Sequence, residues 1–168
     1  MEILAHEHFL SDQVEWIVTQ GTAVRVDKTK PVAFGRETKS WGWIYQVIHE
    51  AVQKQNRKGW GYALPKNYRS ELVDNIHFVS YDNTSTVSDL WAMDIGQRGH
   101  TAKRAISVVV FLNDDFEGGE ILTQISKEIF PLECKRGLSW MLQSYVLKKK
   151  KPVTSGVQHL LYYWVERY

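Results

Sequence analysis

The chain has 168 residues, the length of one ordinary domain, and its 43% hydrophobic and 24% charged residues are typical of a globular protein that buries its own core. Its 21 Lys and Arg against 19 Asp and Glu give a net charge of +2, which argues for neither a nucleic-acid nor a membrane partner. The single cysteine, Cys134, excludes an internal disulfide and a multi-cysteine zinc site, and with no basic-apolar leader or membrane-length apolar run the sequence predicts a cytoplasmic protein in a reducing compartment.

The first third of the chain is predicted to be mainly helical. Asp12 and Glu15 have the spacing of a capping box, and the short apolar stripe that follows them indicates a helix. Residues 22–38 contain brief alternating stretches broken by a proline and a glycine, a pattern typical of edge strands or an extended loop. Apolar residues at three-to-four spacing then predict a second helix over about 40–56, which a Gly-Trp-Gly sequence ends.

The pattern changes to strands from about residue 75 onward. Apolar, β-branched or aromatic runs alternate there with turn-rich segments, and they cover residues 75–81, 104–113, 120–126, 138–147 and 159–165. Helices followed by a run of strands indicate an α+β chain whose core is a β sandwich or barrel. We therefore expect one domain, 1–168, with a helical layer over about 9–56 and a β core over about 75–166.

A set of landmarks in the second half of the chain is more specific. Trp-Ala-Met-Asp at 91–94 is followed by a strand ending in Leu-Asn-Asp and by Gly-Gly-Glu at 118–120. Pro-Val at 152–153, a glycine and an aromatic strand ending in Trp-Val come later. Their order and spacing resemble the iron(II)- and 2-oxoglutarate-dependent dioxygenases, in the prolyl 4-hydroxylase-like branch with phage-encoded relatives. The resemblance covers most of the chain and implies a double-stranded β-helix (jelly roll) with an amino-terminal helical layer.

The resemblance also implies where a metal site would lie. In that family two histidines and one carboxylate hold iron on one face, and an arginine forks the far carboxylate of 2-oxoglutarate. Asp94 matches the carboxylate, but Ala92 and Lys148 stand at the two histidine positions, and Gln158 stands at the arginine position. Alanine has no donor atom and a lysine ammonium has no lone pair, so two of three metal ligands and the anchor of the cosubstrate are absent.

Lys148 predicts a specific contact in place of the metal. If the fold is retained, its ammonium approaches the space of the absent cation and pairs with Asp94, with the charged groups within about 6 Å of each other. The alternative is that Lys148 is one more solvated lysine of the run Lys148–Lys151. Because neighbours on a strand alternate in direction, that run presents at most two or three charges together, a weak patch for nucleic acid or an acidic partner.

Four further residues are relevant to the same pocket. His100, six residues after Asp94 in a predicted loop, is a candidate substitute for a metal ligand. His159 is expected to face the opposite side of its strand from Gln158. The resemblance places Tyr81 in the cosubstrate pocket, and His77 shares a strand face with it because the two are four residues apart.

The function predicted from these substitutions is that of a pseudoenzyme, a non-catalytic binding module that needs no cofactor and binds an unknown protein or peptide. The first alternative is a working dioxygenase or hydroxylase that uses Fe(II) and 2-oxoglutarate through Asp94 and unorthodox ligands such as His100. The second alternative is an engineered, inactivated variant of an active parent. Nucleic acid is the less favoured partner, with Lys148–Lys151 as its only support.

Overall fold

The computed structural model describes residues 4–7, 13–24, 31–35 and 39–168. Two α-helices lie in these ranges, α1 (Val14–Val24) and α2 (Lys39–Gln55), and α2 continues into a π-helical turn, Asn56–Trp60. That turn ends at Gly61, which adopts a left-handed φ of 67° and donates its N–H to the carbonyl of Asn56. None of the helices in the described ranges is long and apolar enough to cross a membrane.

The described residues contain eleven strands, which form one large and two small antiparallel sheets. The strands are β1 (Leu4–Glu7), β2 (Val32–Phe34), β3 (Ile76–Tyr81), β4 (Arg104–Phe111), β5 (Glu117–Gly118), β6 (Ile121–Ile125), β7 (Glu128–Pro131), β8 (Ser139–Gln143), β9 (Leu147–Lys150), β10 (Val153–Ser155) and β11 (Gln158–Glu166). The large sheet has the order β1-β8-β4-β11-β3-β2, and the small sheets are β7-β6-β9 and β10-β5.

The large sheet separates two hydrophobic cores. Val108 and Val110 of β4 pack in the core that includes α1 and α2, whereas Val109 and Phe111 pack in the core that includes β6. This division follows from the period-two alternation of side chains along a strand. It explains why β4 is an uninterrupted apolar run, since both faces of the strand are covered. The α+β order predicted from the sequence is thus confirmed.

One predicted strand is wrong in a way that matters for the site. Residues 138–147 form two elements, because β8 ends at Gln143 and β9 begins at Leu147 in a different sheet. The N–H of Val146 donates to the carbonyl of Gln143 and closes the turn between them. Val146 is itself buried in the second core, so the apolar pattern continues through a turn that contains neither glycine nor proline. Hydrophobicity alone therefore did not show the change of sheet.

The amino-terminal third differs from the sequence prediction at its edges. α1 extends to Val24, past residue 22 where the extended stretch was predicted to begin. The predicted edge strand is present as β2, which pairs with β3 at one edge of the large sheet, and β1, which was not predicted, pairs with β8 at the other edge. The capping residue Asp12 lies outside the described residues.

The packing of α1 on the large sheet generates a stability prediction at Gly21. A Cβ at this position would lie 2.6 Å from Cγ of Phe78, whose ring is fully buried. We expect Gly21→Ala to lower the free energy of unfolding by about 1–3 kcal/mol, because overpacking outweighs the better helix propensity of alanine. Urea unfolding followed by circular dichroism measures the change. Gly59→Ala is the matched control, since no atom lies within 4 Å of its Cβ, and equal effects of the two changes would contradict this packing.

Candidate functional site

A cavity of about 570 Å³ lies between the large sheet and the small sheet that contains β9. Its floor is formed by side chains at alternate positions of three neighbouring strands, as period-two alternation requires. These side chains are His77, Val79 and Tyr81 of β3, Val109 of β4, and Tyr162 and Trp164 of β11. Tyr81 and His77 therefore share a face, as predicted, and Tyr81 lines the cavity.

The opposite wall combines β6, β9 and the segment 86–94. Ile121 belongs to β6, and Lys148 and Lys150 project from the same face of β9 because they are two residues apart. The backbone of Ala92 pairs with that of Lys148, and each N–H donates to the other's carbonyl at 2.9 and 2.8 Å. The two positions at which the family resemblance would place metal-binding histidines are thus directly opposite each other.

The predicted ion pair between Lys148 and Asp94 is present. The Lys148 ammonium donates directly to Oδ2 of Asp94, and the two side chains are only 16% and 18% exposed. The N–H of Asp94 also donates to the carbonyl of Ser144, in the turn between β8 and β9, at 3.0 Å. The turn holds the backbone of Asp94, and the strand β9 that follows the turn carries Lys148. Lys148 is therefore not a solvated member of a surface lysine run.

Electrostatics keep Asp94 ionised in this position. Burial by itself would raise the pKa of the carboxyl group, but the Lys148 ammonium and a hydrogen bond from Ser107 outweigh burial, and the pKa of Asp94 is lowered. The carboxylate charge is therefore present at neutral pH and is neutralised by one neighbouring ammonium.

The residues present do not fit an iron site. Asp94 supplies oxygen donors, but Ala92 contributes a methyl group and Lys148 a cation that would repel a second cation. Within the described ranges no three side chains of His, Cys, Asp or Glu come together as a group that could hold a metal ion.

His100 does not supply the missing ligand. It lies in a 3₁₀ turn before β4, its imidazole is 79% exposed, and its Nδ1 is 3.2 Å from Oε1 of the buried Glu166. It is not among the residues that line the cavity, so the structure does not bring the predicted substitute ligand to Asp94. His159 faces away from the cavity, as predicted, with Nδ1 at 2.7 Å from Oγ of Ser80 and its ring stacked on Phe78.

Gln158 is also not exposed to the cavity, contrary to its prediction as a pocket residue. Its side chain is fully buried, and Nε2 donates to the carbonyl of Gly119 at 2.9 Å. Gly119 has a φ of 71°, and a Cβ there would lie 2.9 Å from Oε1 of Gln158. The shorter, uncharged amide thus packs behind the turn between β5 and β6 instead of reaching into the cavity.

Lys150 is the cavity residue that sequence reasoning did not single out. Its ammonium donates to the carbonyls of Gly119 and Lys151, both at 3.1 Å, and lies 4.5 Å from the centroid of the Tyr81 ring. Burial lowers the pKa of Lys150 to about 8. The alternation of the lysine run was the available signal, since a strand that points Lys148 inward also points Lys150 inward.

Aromatic contacts hold the far end of the cavity. Trp164 stacks on Tyr162 with ring centroids 5.6 Å apart and an interplanar angle of 6°, and His77 contacts Trp164 edge-on at 5.5 Å. The Arg104 guanidinium lies 4.3 Å from the Trp164 ring centroid and pairs with Asp74 at 2.8 Å. These contacts constrain both cation and rings, so this end of the cavity is preformed.

Comparison with models of known protein families finds no match, and comparison with curated proteins finds no similar sequence. Solved structures with the same fold are numerous. A prolyl-4-hydroxylase from Pseudomonas putida matches with a TM-score of 0.74 at 15% identity, over 100% of this chain and 94% of that chain. A prolyl hydroxylase from Trichoplax adhaerens, solved in complex with a hypoxia inducible factor peptide fragment, matches with a TM-score of 0.77 at 11% identity, over 98% and 84%.

A viral collagen prolyl hydroxylase from Paramecium Bursaria Chlorella virus-1 matches with a TM-score of 0.71 at 15% identity, over 99% of this chain and 90% of that chain. These likenesses confirm the predicted fold, an α+β double-stranded β-helix with helices at its amino-terminal side. At such identities they speak for the fold, whereas activity depends on the residues of the site.

The ion pair generates a prediction for Lys148→Met. The substitution leaves Asp94 mostly buried without its cation, and we expect the free energy of unfolding near neutral pH to fall by about 1–3 kcal/mol, less than for a fully buried pair. Because the pKa of Asp94 is lowered in the folded protein, its contribution to stability is present above the ordinary carboxyl pKa of about 4 and is lost as pH falls through the lowered value. Urea unfolding of the original chain and of Lys148→Met across this pH range measures the difference in their free energies of unfolding. We expect that difference to become smaller in acid.

Lys149→Met is the matched control for this prediction. Lys149 pairs with Asp89, whose side chain is 94% exposed, so the loss is expected to be much smaller than for Lys148→Met. Adding Asp94→Asn to Lys148→Met removes the stranded charge, and we expect it to restore part of the lost stability. A Lys148→Met protein as stable as Lys149→Met would show that the pair contributes nothing to stability.

Proposed function

We propose that this chain is a non-catalytic, metal-free binding protein built on the prolyl hydroxylase fold. The observation that carries the proposal is the direct contact of the Lys148 ammonium with Asp94, at the position where the sequence resemblance would place iron. One unit of positive charge on a side chain thus balances the one carboxylate of the site. Iron-dependent oxygen chemistry needs a set of donor atoms that holds the metal, and the residues of this site do not supply one.

The cavity itself supports a role in binding. It keeps a volume of about 570 Å³, which lies in the range of small-molecule sites, and aromatic and aliphatic side chains make up much of its walls beside four charged ones. Two apolar side chains of the covering segment, Leu90 and Met93, are 74% and 50% exposed. The Trichoplax adhaerens enzyme of this fold was solved with a peptide fragment, and we infer that a protein or peptide partner docks at this rim.

No observation favours the alternative of a working iron-dependent hydroxylase. Such an enzyme needs two ligands besides Asp94, and His100 contacts Glu166 instead. His77 is the one imidazole among the described residues that line the cavity, and it packs edge-on against Trp164.

Metal binding is the property that tests the proposal. We expect calorimetric titration of metal-stripped protein with manganese(II), with and without 2-oxoglutarate and without oxygen, to show no heat beyond dilution. The triple variant Ala92→His, Lys148→His, Gln158→Arg is expected to bind manganese(II), and more tightly with 2-oxoglutarate, because it restores two donors opposite each other beside Asp94.

The matched control places the second histidine one residue further along β9, as Ala92→His, Lys149→His, Gln158→Arg. Because neighbouring side chains on a strand face opposite ways, this control is expected to bind no metal. Tight binding by the original chain that 2-oxoglutarate strengthens would overturn the proposal and support the working enzyme. A folded triple variant that binds no metal would show that the assignment of positions is wrong. Turnover of 2-oxoglutarate by that variant would support descent from, or engineering of, an active parent.

A further inference from the structure

The charges that line the cavity do not balance. Three cationic side chains and one carboxylate belong to its walls. Lys148 pairs with Asp94, and Arg104 pairs with Asp74 outside the lining. Among the described residues no carboxylate lies within ion-pair distance of Lys150, so the cavity carries an excess positive charge at this side chain.

The Lys150 ammonium is held in place rather than free to swing into solvent. The carbonyls of Gly119 and Lys151 accept its hydrogen bonds, and the Tyr81 ring covers one side. Carbonyl oxygens and a ring face satisfy its protons but do not cancel its charge. A partly buried ammonium with no carboxylate in ion-pair contact favours an anion that enters the same low-dielectric space.

The remaining lining of the cavity indicates the chemical character of the rest of the ligand. The walls next to Lys150 are the rings of Tyr81 and Tyr162 and the aliphatic side chains of Val109 and Ile121. These surfaces favour an apolar, planar body over a sugar or a polyphosphate, which would need many more hydrogen-bond donors. Two buried polar atoms of lining residues, Nδ1 of His77 and Nε1 of Trp164, have no hydrogen-bond partner in the described structure and remain for a polar group at the far end.

We propose that the cavity binds a small organic acid with an apolar body, and that the ionised carboxylate of this ligand pairs with the Lys150 ammonium. The inference rests on the proposed function, because in a site without a metal ion the carboxylate of the ligand pairs with Lys150 and not with a metal. Lys148 and Arg104 are already paired, so Lys150 is the cation that a ligand meets without breaking an existing ion pair. Binding at this place makes Lys150, and not Gln158 at the predicted anchor position, the residue that selects the ligand.

The site also has a defined pH dependence. The ionisable groups around Lys150 are Tyr81, Tyr162, Glu120 and Cys134. Burial raises the pKa values of Tyr81 and Tyr162 and raises that of Cys134 to about 12, so these three groups stay neutral, and Glu120 is exposed. Lys150 is therefore the group that loses charge as pH rises through about 8, and carboxylate binding weakens over that range.

The test uses the full chain in buffer with EDTA, and the probe is para-fluorobenzoate followed by fluorine NMR. Its uncharged counterpart is para-fluorobenzamide, which has nearly the same shape. We expect saturable binding of the acid, at least about tenfold weaker binding of the amide, and a similar loss for the acid in Lys150→Met. Lys151→Met, which changes the exposed neighbour outside the cavity, is expected to leave the affinity unchanged.

Equal binding of acid and amide, or no binding of the acid at millimolar concentration with or without manganese(II), would overturn the inference. Binding that requires manganese(II) in place of EDTA would instead overturn the proposed metal-free function. If Lys150→Met does not fold by circular dichroism, titrations of the original chain at about pH 7 and about pH 9 decide, because only an ion pair with Lys150 weakens between them.

Discussion

The contact between the Lys148 ammonium and the Asp94 carboxylate is the constraint on which the site depends. A carboxylate enclosed between two sheets needs a cation, and the protein supplies one as a side chain of β9. The backbone of Lys148 also forms two hydrogen bonds with Ala92, which join the segment around Ala92 to β9. One residue therefore contributes both to the cavity wall and to the charge balance. The site is therefore a structural element of the fold.

The two hydrophobic cores explain why the fold does not depend on a metal-binding set of residues at the site. Both cores are built on alternate faces of β4 and β11, and neither includes Ala92, Asp94 or Lys148. Burial of those apolar faces stabilises the sheets whatever residues stand at the site. The residues at the site therefore determine which groups line the cavity, whereas the two cores hold the sheets that form it.

The sequence predicted more of the fold than of the site. Runs of alternating or continuous apolar residues predicted β3, β4, β6 and β11, because a hydrophobic core covers one face or both faces of each of these strands. The exchange of sheets between β8 and β9 was missed, because Val146 keeps the apolar pattern while the chain turns. At the site, Asp94, Ala92, Lys148 and Tyr81 were placed together, whereas the location of His100 beside Glu166 was not foreseen.

Residue identity alone determined that the two predicted histidine positions hold no metal donor, because a methyl group and an ammonium lack lone pairs in any conformation. Only the tertiary structure decided where the remaining cations lie. Gln158 turns behind Gly119 and Lys150 reaches the cavity because β5, β9 and β11 meet around one carbonyl oxygen, that of Gly119. Contacts of this kind join residues more than thirty positions apart. The alternation along β9 indicates that Lys150 shares a face with Lys148, but it does not show that the Lys150 ammonium reaches the carbonyl of Gly119.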